Sequence, residues 1–136
     1  MDTLTASQRS HRMSLVRDKN TKPEWVVRRL VHGMGFRYRL HRRDLPGRPD
    51  LVFPSRRRVI FVHGCFWHRH ANCRLARWPK SRLAFWKPKL EENRARDVRH
   101  LRELNRLGWR SMIIWECELS NLDRIEKVAR IFLEGA

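Results

Sequence analysis

The sequence predicts one α/β domain with a mixed central sheet flanked by helices, and three observations lead to that class. Apolar residues recur with the 3.6-residue period of helices in some segments and in short runs or alternations in others, in the order helix, strand, strand, strand, helix, strand, helix. A length of 136 residues suits one buried core and is short for two. Hydrophobic residues make up 41% of the chain, enough for that core, and no repeat, low-complexity block or linker divides it.

The elements follow in order. Residues 1–20 are polar and basic, with a short helix expected over 7–16. Thr21-Lys22-Pro23-Glu24 reads as a helix start: Thr21 as N-cap, Pro23 in the first turn and Glu24 at the capping-box position. That helix carries Trp25, Val26, Val27, Leu30 and Val31 and should stop near Gly33 or Gly35. Phe36-Arg37-Tyr38-Arg39-Leu40 alternates apolar and basic, the pattern of a half-buried strand. A basic loop and a Pro-Gly turn lead into Asp50-Leu51-Val52-Phe53, and Val59-Ile60-Phe61-Val62 reads as a fully buried strand. A loop rich in His, Cys, Trp and Arg spans about residues 63–81. Residues 81–107 turn helical, with Leu90, Val98, Leu101 and Leu104 near one face, Gly108 as the stop, and Pro88 marking a break or a second helix start. Residues 109–115 form a strand around Ile113-Ile114. Ser120 or Asn121 caps a last helix over 121–133 whose inner face is Ile125, Val128 and Phe132.

Charge narrows the function. Lys and Arg number 31 against 14 Asp and Glu, a net +17 with His neutral. Such a field attracts polyanions, and for a basic domain without a membrane span that points to nucleic acid bound in a salt-dependent way. No run of 18 apolar residues and no signal peptide is visible, so a soluble intracellular protein with no membrane partner is expected. Three cysteines, an odd number in a reducing compartment, argue against a disulfide framework and leave metal ligation or burial.

Three constellations could carry chemistry. Asp50, at the start of a strand beside basic residues, is a carboxylate able to hold a hard cation such as Mg²⁺; otherwise it closes the Pro-Gly turn or pairs with Arg48. The loop His63-Gly64-Cys65-Phe66-Trp67-His68-Arg69-His70-Ala71-Asn72-Cys73, with Cys117 at the end of a later strand, supplies three thiolates and a choice of histidine for a tetrahedral zinc site. The histidines left over suit proton transfer near neutral pH. Phe66 and Trp67, then Trp78, Phe85 and Trp86, sit among basic residues, where apolar rings either wedge between bases or anchor the chain to its core. Met13 is a core contact or a further wedge.

In its motifs the chain resembles the very-short-patch repair (Vsr) endonucleases, bacterial enzymes that nick DNA beside the T of a T·G mismatch left by deamination of 5-methylcytosine. The motifs are Leu45-Pro46-Gly47-Arg48-Pro49-Asp50, Val62-His63-Gly64-Cys65-Phe66-Trp67-His68, Phe85-Trp86, Gly108-Trp109-Arg110 and Trp115-Glu116-Cys117, so the resemblance spans about residues 13–119. It implies a restriction-endonuclease-like fold with a structural zinc loop, a DNA-contacting segment over residues 1–20 and one nuclease domain over 21–136. Asp50 and the carbonyl of Val62 then bind Mg²⁺, and Glu24 reaches the water shell of that cation. His68 acts as general base, with His63 assisting at the phosphate. Cys65, His70, Cys73 and Cys117 hold structural Zn²⁺. Phe66, Trp67 and Trp86 intercalate from one groove and Met13 from the other. The partner is double-stranded DNA with a T·G mismatch, with mismatch-repair proteins beside it; a monomer in the bacterial cytoplasm, at the nucleoid, is expected. The usual Asp/Glu-x-Lys element of restriction-type sites is absent after Asp50, and Val62-His63 stands in its place.

Two other classes stay open at this point. One is a nuclease of the same fold with another mismatch or sequence target. The other is a non-catalytic, zinc-stabilised DNA-binding module in which Asp50 and the spare histidines are structural.

Overall fold

The computed structural model describes residues 21–135, so Met13 and the expected 7–16 helix lie outside the described residues. Helix α1 (Lys22–Gly33) is followed by strands β1 (Arg39–Leu40), β2 (Leu51–Phe53) and β3 (Arg58–His63), then helix α2 (Leu83–Arg106), strand β4 (Arg110–Trp115) and helix α3 (Leu122–Glu134). The order is the one expected. The sheet runs β1-β2-β3-β4, with antiparallel pairing through the first three strands and β4 parallel to β3. It is a mixed sheet, and the helical crossover between β3 and β4 is what a parallel pair requires.

Both faces of the sheet are covered, which is why β3 reads as an unbroken apolar run. On one face Leu51, Phe53, Ile60, Val62 and Ile114 pack against Val27 and Val31 of α1 and Ile125 and Leu133 of α3. On the other, Val52, Val59 and Phe61 meet Leu104 of α2, with Leu45 and Trp109 closing the edge. The alternation along each strand sorts the residues between the two layers.

Local chemistry explains the boundaries. Thr21 caps α1 by accepting from the Glu24 amide at 3.4 Å. Gly35, at φ +97°, makes the reversal after it. Gly108, at φ +88°, ends α2 in the same way.

Four expectations are corrected. The strand foreseen over 36–40 shrinks to Arg39–Leu40, because the Phe36 amide bonds back to Val31 at 3.3 Å and its ring plugs the core under α1. Pro88 neither breaks nor starts a helix. It lies within a continuous 24-residue α2, where the one hydrogen bond lost near an exposed end is offset by the buried anchors Leu90 and Leu104 further along. Val98 is exposed and Leu101 only half-buried on that helix. The inner face of α3 is Ile125, Ala129 and Leu133; Val128 is exposed and Phe132 flanks the core.

The basic turn before β3 also hides a structural residue. Arg58 is buried, and its guanidinium donates to the carbonyls of Phe132, Arg56 and Gly135 at 2.7, 2.8 and 2.7 Å. It ties the first residue of β3 to the end of α3, satisfying carbonyls a helix C-terminus leaves open.

Candidate active site and metal cluster

The first cluster forms where the Pro-Gly turn delivers Asp50 to the end of β3. Gly47 sits at φ +77° with its α-carbon so close to α2 that a Cβ would meet His100 and the Phe61 ring at 3.1 Å. The turn therefore docks on the helix and aims the next carboxylate inward. Asp50 is buried, and its Oδ2 accepts the Val62 N–H at 2.6 Å. Arg48 is exposed and forms no ion pair among the described residues, so Asp50 is not held by it.

Glu24, buried on α1, meets this site from the other side. Its Oε2 lies 3.0 Å from Nη2 of Arg28, one turn on, and 3.4 Å from Nε2 of His41. His41 Nδ1 is in turn 4.0 Å from Asp50 Oδ1. Donor atoms of Glu24, His41 and Asp50 all lie within 4.8 Å of one another, so the group could hold a cation. Burial pushes the Asp50 carboxyl up to about 7; the Val62 amide opposes that shift and the Glu24 charge adds to it. A buried carboxylate beside a second one is a donor set that a divalent cation neutralises, and it fits Mg²⁺.

The second cluster begins one residue on from Val62. His63 is buried at the end of β3, and its imidazole stacks on that of His68 with centroids 3.8 Å apart and planes within 6°. His68 Nδ1 lies 2.6 Å from Asp97 Oδ2 on α2. Burial pushes His63 down to about 3, the charge of His68 adds to that effect, and Asp97 opposes it. His63 is thus neutral at working pH, and its Nδ1 is a buried polar atom without a partner among the described residues. The carboxylate fixes the His68 tautomer, leaving Nε2 as the free lone pair.

Cys65, His70, Cys73 and Cys117 form the third cluster, their donor atoms within 4.8 Å of one another. His70 Nδ1 lies 3.6 Å from Cys65 Sγ and 3.4 Å from Cys117 Sγ. A tetrahedral centre with metal–sulfur bonds of about 2.3 Å and metal–nitrogen bonds of about 2.05 Å has S···N edges of about 3.6 Å. The four residues therefore fit a single metal ion. The His70 ring stacks on Trp115 at 4.1 Å, and His63 meets the same indole edge-on at 5.2 Å, so one side chain buttresses this cluster and the histidine pair.

Phe66, Trp67 and Trp86 form a mutual triangle of edge-to-face rings with centroids 5.2 to 5.8 Å apart. All three are half-buried, and Phe85 beside them is exposed with Arg82 and Lys89 over its ring.

Every expected site residue from Glu24 to Cys117 falls into one of these groups; Met13 is outside the described residues. Arg28, His41 and Asp97 were not singled out from sequence. Asp97 carried a readable signal, since it lies seven residues from both Leu90 and Leu104 and so on the inner face of α2. His41 carried none, because its approach to Asp50 depends on a loop with the residue at φ +48°.

Comparison with known proteins identifies the family. The family model for the DNA mismatch endonuclease Vsr matches residues 1–75. A type II nicking enzyme, V.XorIIP of Xanthomonas oryzae pv. oryzae, is 55% identical over 133 residues, covering 98% of this chain and 97% of its own. The type II nicking enzyme V.NmeAIP of Neisseria meningitidis is 41% identical over 88% of this chain and 85% of its own. The DNA mismatch endonuclease Vsr of Escherichia coli is 40% identical over 91% of this chain and 79% of its own. Fold, site and relatives together define a DNA endonuclease. The chain belongs to the Vsr family of DNA mismatch endonucleases, which implies a restriction-endonuclease-like fold for its mixed sheet. No helix of the described residues is long and apolar enough to cross a membrane.

Proposed function

We propose that the protein nicks one strand of duplex DNA 5′ to the T of a T·G mismatch, as in very-short-patch repair of deaminated 5-methylcytosine, with Mg²⁺ as catalytic cation and Zn²⁺ in a structural role. The observation that carries this reading is the pair of clusters at the end of β3: Val62 touches a buried acidic site, and the next residue opens a His–His–Asp array.

Asp50 and the Val62 carbonyl would hold Mg²⁺, with Glu24 beside them; when bound, the cation supplies positive charge against the negative charge that builds on the phosphate. His68 takes a proton from water at Nε2 while Asp97 steadies the imidazolium through Nδ1. His63 stays neutral and stacked on His68, where it would assist at the phosphate by holding that ring in place. Hydrolysis then leaves 3′-hydroxyl and 5′-phosphate ends.

Three thiolates and one imidazole at tetrahedral spacing favour Zn²⁺ over a hard cation at the other cluster, where Cys65, Cys73, Cys117 and His70 would pin the loop to the end of β4. The ring triangle of Phe66, Trp67 and Trp86 would open the stack at the mismatch, with Met13 from the opposite groove. That relatives are named nicking enzymes supports a cut in one strand.

A panel of end-labelled duplexes carrying each single mismatch in varied flanks tests the target. A nick mapped to the 5′ side of T in T·G alone supports the proposal. Equal cutting of other mismatches, or of matched duplex, would give the site a different target.

A further inference from the structure

A cleft of about 510 Å³ opens behind the His/Cys loop, outside all three clusters apart from the shared residues His70 and Cys73. Arg69, Arg74, Arg77 and Arg94 line it, with Trp78 as one wall and Glu91 as the acidic member. None of the four arginines is in an ion pair with a described residue. Arg69 is already set in place: its guanidinium lies 3.8 Å from the centre of the Trp78 ring, and Nη1 points at the Phe66 carbonyl at 3.5 Å. Stacking holds the guanidinium plane and leaves N–H edges for a forked acceptor.

Arginine excess in a concave site suits a forked oxyanion, and the aromatic wall beside it favours the phosphates of a nucleic acid over a carboxylate surface. Arg69 lies between His68 and His70 in sequence, so the cleft is built on the same loop as the histidine pair. We infer that this cleft is a second phosphate-binding site, taking backbone phosphates of the substrate DNA outside the scissile one. It deepens the nuclease reading above and rests on it.

The test is the salt dependence of binding by fluorescence anisotropy, using the full chain with its metals and either T·G or fully matched duplex. Each phosphate contact contributes about 0.9 to the slope of log K against log salt. Arg69→Gln/Arg94→Gln should lower the slope by about 2, so that the affinity advantage of wild type over the variant shrinks about 12-fold between 50 and 200 mM salt. Arg130→Gln, on the outer face of α3 and paired with Glu126 and Glu134, is the control and leaves the slope unchanged. A neutral methylphosphonate walked along each strand should find a position whose loss vanishes in the double variant. Far-UV circular dichroism shows whether that variant is folded, and Arg69→Lys/Arg94→Lys should keep most of the slope while losing affinity. An unchanged slope in a folded double variant, or no methylphosphonate position coupled to it, overturns the assignment. So does a variant that keeps its DNA slope and loses binding to a polyglutamate peptide, which would make the cleft a protein-docking face. Because phosphate contacts are sequence-independent, matched duplex reports on the cleft even where T·G selectivity fails.

Discussion

Asp97→Asn isolates the least obvious part of the proposed site. The change keeps the shape and removes the charge facing His68 Nδ1 at 2.6 Å. The neutral amide accepts that N–H less well and can turn its own N–H toward the ring, so the imidazole loses its fixed tautomer and its support when protonated. A hydrogen bond to a charged group contributes about 1.5–3 kcal/mol. The side chains are 28% and 21% exposed, so water takes part of the load and the lower half of that range applies. Loss of about 1.5–2 kcal/mol from the transition state slows the chemical step about 10- to 30-fold. Single-turnover nicking of a T·G duplex under excess enzyme measures it, with wild type, Asp97→Asn, His68→Ala and the double variant in parallel. If Asp97 acts through His68, the double variant is no slower than His68→Ala. A rate within twofold of wild type for Asp97→Asn, or full additivity in the double variant, refutes the role.

Other outcomes follow from the same geometry. In metal-free protein, Asp50 is raised to about 7 from an ordinary 3.8, so its contribution to stability is present below about pH 4 and lost as pH rises toward 7. His63 is lowered to about 3 from 6.5, so its contribution is present above about pH 6.5 and lost as pH falls toward 3. The two slopes oppose each other over one window. Melting curves in chelator should therefore show stability rising with pH in Asp50→Asn and falling with pH in His63→Asn; the same trend in both would contradict the assignment of these shifts. Arg58→Met leaves three carbonyls without their donor and should cost about 2–4 kcal/mol in urea unfolding, an effect that Arg130→Gln does not share. Cys117→Ser should abolish stoichiometric zinc in metal analysis and lower the melting temperature by about 10 °C or more, whereas a full zinc complement in that variant would remove Cys117 from the ligand set.

The element order and much of the candidate site are legible in the sequence because their signals are local. Element order came from period and punctuation, and the Cys/His cluster from donors concentrated in one loop and a strand end. What escaped reading was tertiary. Pro88 looked like a boundary because its penalty is local, while the contacts of Leu90 and Leu104 that outweigh it come from the sheet. Val128 and Phe132 were placed inward on a correct helix whose rotation is set by packing, which chose Ala129 and Leu133. Arg58 read as one more basic turn residue, since nothing in its neighbours announces carbonyls more than 70 residues away. Asp97 was legible only with the helix register in hand, and His41 required the loop itself.

Asp50 is proposed to hold the cation through which this enzyme cuts DNA. That role is tested most directly on an end-labelled T·G duplex in Mg²⁺ and in EDTA, with wild type and Asp50→Ala compared for cutting and for binding. The expected result is a nick on the T strand that needs both Mg²⁺ and Asp50, while Asp50→Ala still binds the duplex. A nick that persists in Asp50→Ala, or that forms equally in EDTA, would contradict it.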